Sequence, residues 1–421
     1  MIVPSIDLMD GHAVQLIGGR EKKLDAGDPL PIAERFAVAG EIAVVDLDAA
    51  LGRGSNAAVI TELCRRWPCR VGGGIRDLDS ARQWLDRGAT KIVLGTAASP
   101  ELLEKLPRER VIAALDAVHG EVVDRGWTRS TGVRVTDRVR ELAPLVSGFL
   151  FTFVEREGRL GGGPPLDAVR ELVALSGDAR VTIAGGVTTA AEIAQLDAAG
   201  ADAQVGMALY EGLLDLGDAV AAPMRSDRDD GLWPIVVVDE LGTALGLVYG
   251  NAESVRVAVA ERRGVYWSRR RGLWRKGESS GAVQELLRIE LDCDRDAMQF
   301  VVRSQAGFCH LGTWSCFGPQ RGLGALASTL AQRAALAPPG SYTARLFADP
   351  SLLRSKLLEE AGELAAAVDP DHVREEAADL LYFLLARATA AGVDLASIAA
   401  TLDARSRKVS RRGGERKDAG T

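Results

Sequence analysis

The chain has 421 residues, 47% of them hydrophobic and 26% charged, with a net charge of −7. That length predicts about two to four domains with sizeable cores, and the acidic balance argues against generic nucleic-acid binding while leaving room for local basic sites. Five cysteines, an odd number, suit reduced thiols or metal ligands better than a disulfide framework. The opening MIVPSIDLMDGH lacks a basic run and carries early acids, so it does not read as a signal peptide, and no apolar run reaches the roughly 18 residues of a membrane helix. The expected location is the cytoplasm, with no membrane partner.

Residues 1–223 alternate short apolar runs, such as Ile42–Leu47, Lys91–Leu94, Val111–Leu115, Gly148–Phe153 and Val181–Ile183, with helix-like stretches, which predicts a parallel α/β sheet. The polar stretch Arg225–Gly231 reads as a linker. Residues 229–320 are strand-rich, with runs at Ile235–Val238, Leu286–Leu291 and Met298–Val302, and Trp233 reads as core. Residues 321–421 have Ala- and Leu-rich helical periodicity, with Leu357, Leu358, Leu364, Leu380, Leu381 and Leu384 as packing faces. The basic end, Arg405–Thr421, is expected to fray. The fold class is therefore multidomain: an N-terminal (β/α)8 barrel, a central β-rich α+β metal domain and a C-terminal all-α domain.

The barrel rests on an internal repeat. Asp7 is echoed by Asp116, Gly73-Gly74 by Gly185-Gly186, and Gly95-Thr96 by Gly206-Met207, all at offsets close to 110 residues. Two similar halves are what a closed barrel built from half-barrels shows; a doubly wound open sheet would not give this offset. Acids at equivalent strand ends can act as a base and an acid if their environments separate their pKa values. Glycine turns let backbone N–H groups approach a phosphate, and two such turns imply a substrate with a phosphate at each end.

Farther on, Asp292, Asp294 and Asp296 stand at alternate positions. On a strand they would share one face, suited to Mg2+, with Cys293 on the other. Cys293, Cys309 and Cys316 give three thiolates with an open fourth position, which suits a catalytic Zn2+, and His310 could relay a proton. In the last segment Glu359, Glu360 and Glu363 crowd one helix side, and Glu375, Glu376 and Asp379 crowd a second, which suits Mg2+ bound with a pyrophosphate.

These motifs also carry resemblances. IDLMDG, VDLDAALGRGSN, VGGGIRD, VLGTAA, ALDA and DRGWT resemble ProFAR isomerase, a barrel that performs an Amadori rearrangement on a bis-phosphorylated substrate. The resemblance implies Asp7 as base, Asp116 as acid, Thr152 as helper, and Trp127 stacking on the substrate. It departs at Glu157-Gly158-Arg159, where the family reads Asp-Gly-Thr, at Gln15, where Arg is common, and at Met207. YWSR, LWRKGESSG, DCDRDA and FCHLGTWSCF resemble phosphoribosyl-AMP cyclohydrolase, which implies a zinc shared between two chains and hence a homodimer through this domain. Trp267, Arg269 and Lys276 would then meet substrate. GSYTARL, LLEEAGE and EEAADLLY resemble phosphoribosyl-ATP pyrophosphatase, which implies Mg2+ on Glu360, Glu363, Glu376 and Asp379 and phosphate contacts from Arg345 and Lys356; Leu358 replaces a usual Gly. Together the three imply consecutive steps of histidine biosynthesis on small phosphoribosyl nucleotides. Two alternatives stay open: a bifunctional hydrolase with the barrel as scaffold, and a nucleotide-binding regulator with structural metals.

Overall fold

The computed structural model describes residues 1–17, 21–124, 127, 129–154, 165–304, 306–336, 338 and 340–410. The triplet Glu157-Gly158-Arg159 and the end of the basic tail lie outside them. The chain divides into two units. The first comprises Met1–Val238, Leu247–Gln305 and Arg407–Thr421; the second comprises Asp239–Gly246 and Ala306–Ser406.

The first unit opens with strands β1 (Ile2–Met9), β2 (Ile42–Asp46), β3 (Cys69–Gly72), β4 (Lys91–Leu94), β5 (Val111–Val118), β6 (Gly148–Phe153), β7 (Arg180–Ala184) and β8 (Ala201–Val205). They pair in parallel in that order, β8 returns to β1, and the ring closes. These strands are apolar because both faces are covered, inside by the barrel's own filling and outside by helices; Ile6, Leu8, Ile42, Ile92 and Ile183 are fully buried. Antiparallel strands His12–Ile17 and Glu21–Gly27 extend β1, and Glu121–Asp124 and Arg129–Arg134 extend β5.

The predicted twofold repeat is present in the backbone. Gly73 and Gly74 have φ of 92° and 72°, and Gly185 and Gly186 have 91° and 75°. Each pair leads into a helix fixed by a capping box, Asp77 with Ser80 in one half and Thr189 with Glu192 in the other.

A six-stranded sheet follows: β9 (Trp233–Val238), β10 (Ala244–Gly250), β11 (Val265–Ser268), β12 (Gly272–Arg275), β13 (Gln284–Leu291) and β14 (Met298–Ser304), in the order β12-β11-β10-β9-β14-β13. Trp233 is buried, as expected. Within the first unit this region is seated on the barrel. The barrel helix Leu216–Ala221 lies so close to helix Ala252–Glu261 that a Cβ on Gly217 would come within 2.5 Å of the Arg256 backbone. Arg262 pairs with Glu34 at 2.5 Å. The start of the basic tail is also tied down, contrary to the expected fraying. Val409 and Ser410 donate backbone N–H to Asp86 at 2.9 and 3.0 Å, and Arg110 donates to the Arg407 carbonyl at 2.7 Å.

The second unit carries helices α1 (Gly322–Ala335), α2 (Tyr342–Ala348), α3 (Pro350–Ala366), α4 (Pro370–Ala390) and α5 (Leu395–Ser406). Its core is Leu330, Leu346, Leu353, Phe383, Leu385 and Ala386. Of the expected packing leucines, Leu357 packs against this core, whereas Leu381 and Leu384 are about two-fifths exposed and Leu358 is 63% exposed. No single helix among the described residues is long and apolar enough to cross a membrane.

Candidate active and metal sites

The barrel encloses a cavity of about 890 Å3 lined by Asp7, Asp116, Thr152 and Trp127 together with Thr96, Gly185, Gly186 and Gly206. Asp7 and Asp116 sit near the C-terminal ends of β1 and β5, so the two repeated acids look into one space. Burial pushes Asp7 up to about 7, where a carboxyl can exchange protons at neutral pH. Burial also raises Asp116, but two donors oppose it: Trp127 Nε1 donates to Oδ2 at 2.8 Å, and the hydroxyl of Thr152, its register partner on β6, donates as well. Trp127 reaches this position from a left-handed backbone, φ 66°, uncommon for a bulky residue and typical of functional loops.

Of the predicted phosphate glycines, Gly185, Gly186 and Gly206 line the cavity with Thr96. Gly73 and Gly74 have a steric reason of their own: a Cβ there would fall 2.3 Å from the Asp46 carbonyl oxygen and 2.5 Å from the Ala49 Cβ. Gly95 is exposed at the end of β4. Gln15 is buried beside Gly206 and donates to the Val14 carbonyl at 2.9 Å.

The Asp292–Asp296 segment is a turn between β13 and β14 and not a strand, so alternation does not set its geometry. Arg295 takes a left-handed φ of 69°, and Asp292 closes the turn by accepting the Asp296 and Ala297 N–H groups at 3.1 Å. Even so, carboxylate oxygens of Asp292, Asp294 and Asp296 converge within 4.8 Å of one another. The side chain of Asp292 and the charge of Asp294 raise the Asp296 pKa, a repulsion a cation would relieve. Cys293 is exposed on the same turn, with Sγ 3.9 Å from Asp294 Oδ1.

In the second unit, Cys309 and Cys316 belong to a loop closed by Phe308 N–H to the Trp314 carbonyl and Cys316 N–H to the Leu245 carbonyl. Leu311 N–H points at Cys309 Sγ at 3.5 Å, and His310 Nδ1 lies 4.0 Å from that sulfur. Trp267 and Lys276 in the first unit are half-buried, and exposed Arg269 stacks over Tyr249 at 4.9 Å.

On α3 and α4, Glu360, Glu376 and Asp379 bring carboxylate oxygens within 4.8 Å of one another. Burial, then the charges of Glu363 and Asp379, raise the Glu360 pKa. Glu376 accepts from His372 Nε2 at 3.0 Å through one oxygen; its other oxygen is buried with no hydrogen-bond partner. An orphaned carboxylate oxygen inside a ring of acids fits a divalent cation. Glu363 is exposed and stands outside this trio. Lys356 pairs with Glu359 at 2.8 Å and approaches Glu360 at 3.9 Å, and Arg345 is exposed.

Comparison with known families adds to this geometry. Residues 1–215 match the histidine biosynthesis protein family, 246–318 the phosphoribosyl-AMP cyclohydrolase family, and 323–406 the phosphoribosyl-ATP pyrophosphohydrolase family. The chain is 42% identical to an imidazole-4-carboxamide isomerase of Haloarcula marismortui over 52% of its own length and 95% of the relative's. The chain belongs to the histidine biosynthesis protein family.

Other relatives of this histidine biosynthesis chain are fusions. A histidine biosynthesis trifunctional protein of Neurospora crassa is 55% identical over 49% of the chain and 24% of the relative, and one of Komagataella pastoris is 37% identical over 81% of the chain and 38% of the relative. The chain thus spans half or less of the length of these fusion relatives.

Sequence reasoning missed several contributors. Arg76 and Arg129 line the barrel cavity; Arg76 stands in VGGGIRD two residues after Gly74, where a cation near a phosphate glycine is the available signal, and Arg129 directly follows DRGWT and pairs with Asp124. The Tyr210 hydroxyl is buried without a partner, and burial followed by the Asp7 charge raises its pKa. His372, one turn before Glu376, is a further neighbour of the helical acid cluster.

Proposed function

We propose that the chain carries three consecutive activities on phosphoribosyl nucleotides in the cytoplasm. Residues 321–421 hydrolyse phosphoribosyl-ATP to the monophosphate and diphosphate, 229–320 open the adenine ring, and 1–223 isomerise the product from aminoaldose to aminoketose. The observation that carries this reading is the convergence of each acid set at the motif of its own family: Asp7 with Asp116, Asp292 with Asp294 and Asp296, and Glu360 with Glu376 and Asp379.

In the barrel, Gly185, Gly186 and Gly206 offer backbone N–H groups and Arg76 and Arg129 offer charge to the two phosphates. Asp116 gives its proton to the furanose ring oxygen, which opens the ring to an iminium. Asp7 removes the proton from C2, and the resulting enolamine tautomerises to the ketone. Trp127 stacks on the substrate, and Thr152 holds Asp116.

Cys309 and Cys316 of one chain, with Cys293 of a second copy, would hold Zn2+, and the three aspartates Mg2+; bound there, the metals supply an activated water and charge neutralisation. His310 moves a proton to or from the attacked ring, and Trp267, Arg269 and Lys276 orient the nucleotide. Glu360, Glu363, Glu376 and Asp379 would hold Mg2+ in the helical module, while Arg345 and Lys356 bind phosphate.

The test is to supply phosphoribosyl-ATP with both metals and follow the products. Wild type is expected to yield the ketose, Asp7→Asn to accumulate the ring-opened aldose, Cys309→Ala phosphoribosyl-AMP, and Glu360→Gln to leave the substrate unspent. Wild type that stops at the aldose would reduce the barrel to a scaffold.

A further inference from the structure

The metal turn of the cyclohydrolase-like region is fastened to the barrel through one residue. Arg295 sits among the three aspartates, yet its ion pair is made elsewhere: Nε donates to Asp197 Oδ1 at 3.1 Å, and both side chains are about nine-tenths buried. Asp197 ends the barrel helix Ala190–Ala198, which precedes β8. It also accepts from the Met1 amino group at 3.2 Å, a group that Asp202 holds at 2.8 Å. Arg295 Nη1 donates back to the Asp292 carbonyl, and the Arg295 carbonyl accepts the Arg225 N–H at 2.8 Å. The left-handed residue in the turn is thus gripped by its side chain from the barrel's Asp197 and by its backbone from Arg225 at the start of the linker.

The charges give this arrangement a consequence. A guanidinium next to three carboxylates is a built-in competitor for any divalent cation, and a buried one must find an anion. Here Asp197 supplies that anion, and the three turn carboxylates stay converged with no internal cation between them. We propose that Asp197 is a positioning residue for the metal turn: by holding the Arg295 guanidinium on the barrel, it keeps Asp292, Asp294 and Asp296 open to a divalent cation. This rests on reading the turn as a Mg2+ site.

The test uses Mn2+ as the probe, with binding read by its electron paramagnetic resonance signal. The protein is the full chain carrying Glu376→Gln, which weakens the helical acid site. Asp197→Ala releases Arg295 toward the carboxylates and is expected to weaken Mn2+ binding by about tenfold to a hundredfold. Removing the competitor as well, in Asp197→Ala/Arg295→Gly, is expected to restore binding to within roughly threefold of the parent, because glycine also suits the left-handed backbone. A damaged fold would not recover on a second substitution. In turnover, ring opening by Asp197→Ala needs more Mg2+ and reaches an unchanged kcat at saturation. Asp197→Asn carries the same test, with the same expectation, if the alanine variant loses the barrel's melting transition. If Asp294→Asn abolishes Mn2+ binding but Asp197→Ala binds like the parent, or the double variant shows no recovery, the inference fails while the metal reading stands. If Asp294→Asn leaves binding unchanged, the metal reading fails and takes the inference with it.

Discussion

Asp7→Asn should inactivate the barrel and stabilise it, by an amount that grows as pH rises from about 4 to about 7. Burial raises the Asp7 carboxyl from its ordinary 3.8 to about 7, so in the fold it is neutral at low pH and ionised above about 7. A group whose pKa is raised on folding stabilises the native state fully below the unfolded value and loses that contribution as pH rises through the folded one. Wild type therefore carries a desolvated anion at about pH 8 and a neutral acid at about pH 5. The full rise would correspond to about 4 kcal/mol. Asp7 retains contact with cavity solvent, so on the order of 2 kcal/mol is the better expectation. For a barrel of this size that raises Tm by about 4–8 °C in the Asn variant at about pH 8 and by a smaller, intermediate amount at about pH 5, because above the unfolded value of 3.8 part of the contribution is already lost. Differential scanning calorimetry of both proteins at the two pH values reads this directly, and isomerase turnover of wild type should fall about tenfold per pH unit below about 7 as the base is protonated. An Asn variant equally stabilised at both pH values, or destabilised at both, would refute the desolvation argument.

Trp127→Phe removes the N–H donated to Asp116, so the Asp116 pKa should rise further and the alkaline limb of the isomerase pH profile should move upward, with kcat/KM down by about tenfold to a hundredfold. Gly73→Ala forces a Cβ to 2.3 Å from the Asp46 carbonyl oxygen at a φ of 92°, and should lower the barrel's melting temperature by several degrees while leaving the melting of the helical module in place. Glu376→Gln removes the charge from the orphaned oxygen; pyrophosphate release should drop at least about a hundredfold, and the Mg2+ needed for the remainder should rise, with ring opening of supplied phosphoribosyl-AMP unaffected. Cys316→Ser should lower zinc content, measured by elemental analysis, together with ring opening, and leave isomerisation of supplied aldose intact.

What was legible in the sequence was what local chemistry forces. Gly73, Gly74, Gly185 and Gly186 take φ values that side chains rarely adopt, so the repeat could be read from glycines alone. The barrel strands announced themselves because strands covered on both faces are largely apolar runs, broken here at site residues such as Asp7, Asp116 and Thr152. The aspartate turn was legible in composition but not in shape. Alternate spacing suggests a strand face, whereas the segment is a turn with a left-handed Arg295 paired to Asp197, 98 residues away in sequence, a tertiary partner that no local pattern reveals. The same holds for Leu358, Leu381 and Leu384: helical periodicity says that apolar residues share a side, not which side the neighbouring helices cover.

The duplicated barrel poses a problem that its own geometry solves. A perfect twofold would give Asp7 and Asp116 the same environment, and two identical acids cannot divide the roles of base and acid. The scaffold keeps the symmetry: the glycine turns differ by only a few degrees between halves. The asymmetry lies in what reaches each carboxyl. Asp7 answers to burial, and the nearby Tyr210 hydroxyl is itself without a partner. Asp116 receives the indole N–H from a strained Trp127 and the hydroxyl of Thr152, both of which favour its anion. If Trp127 turns to stack on the substrate, that indole bond is lost and Asp116 gains proton affinity as the acid is needed, while Asp7 stays near neutral affinity and can serve as base. Loop residues added to a symmetric frame would then assign the two roles, and Trp127 is the residue on which that assignment turns.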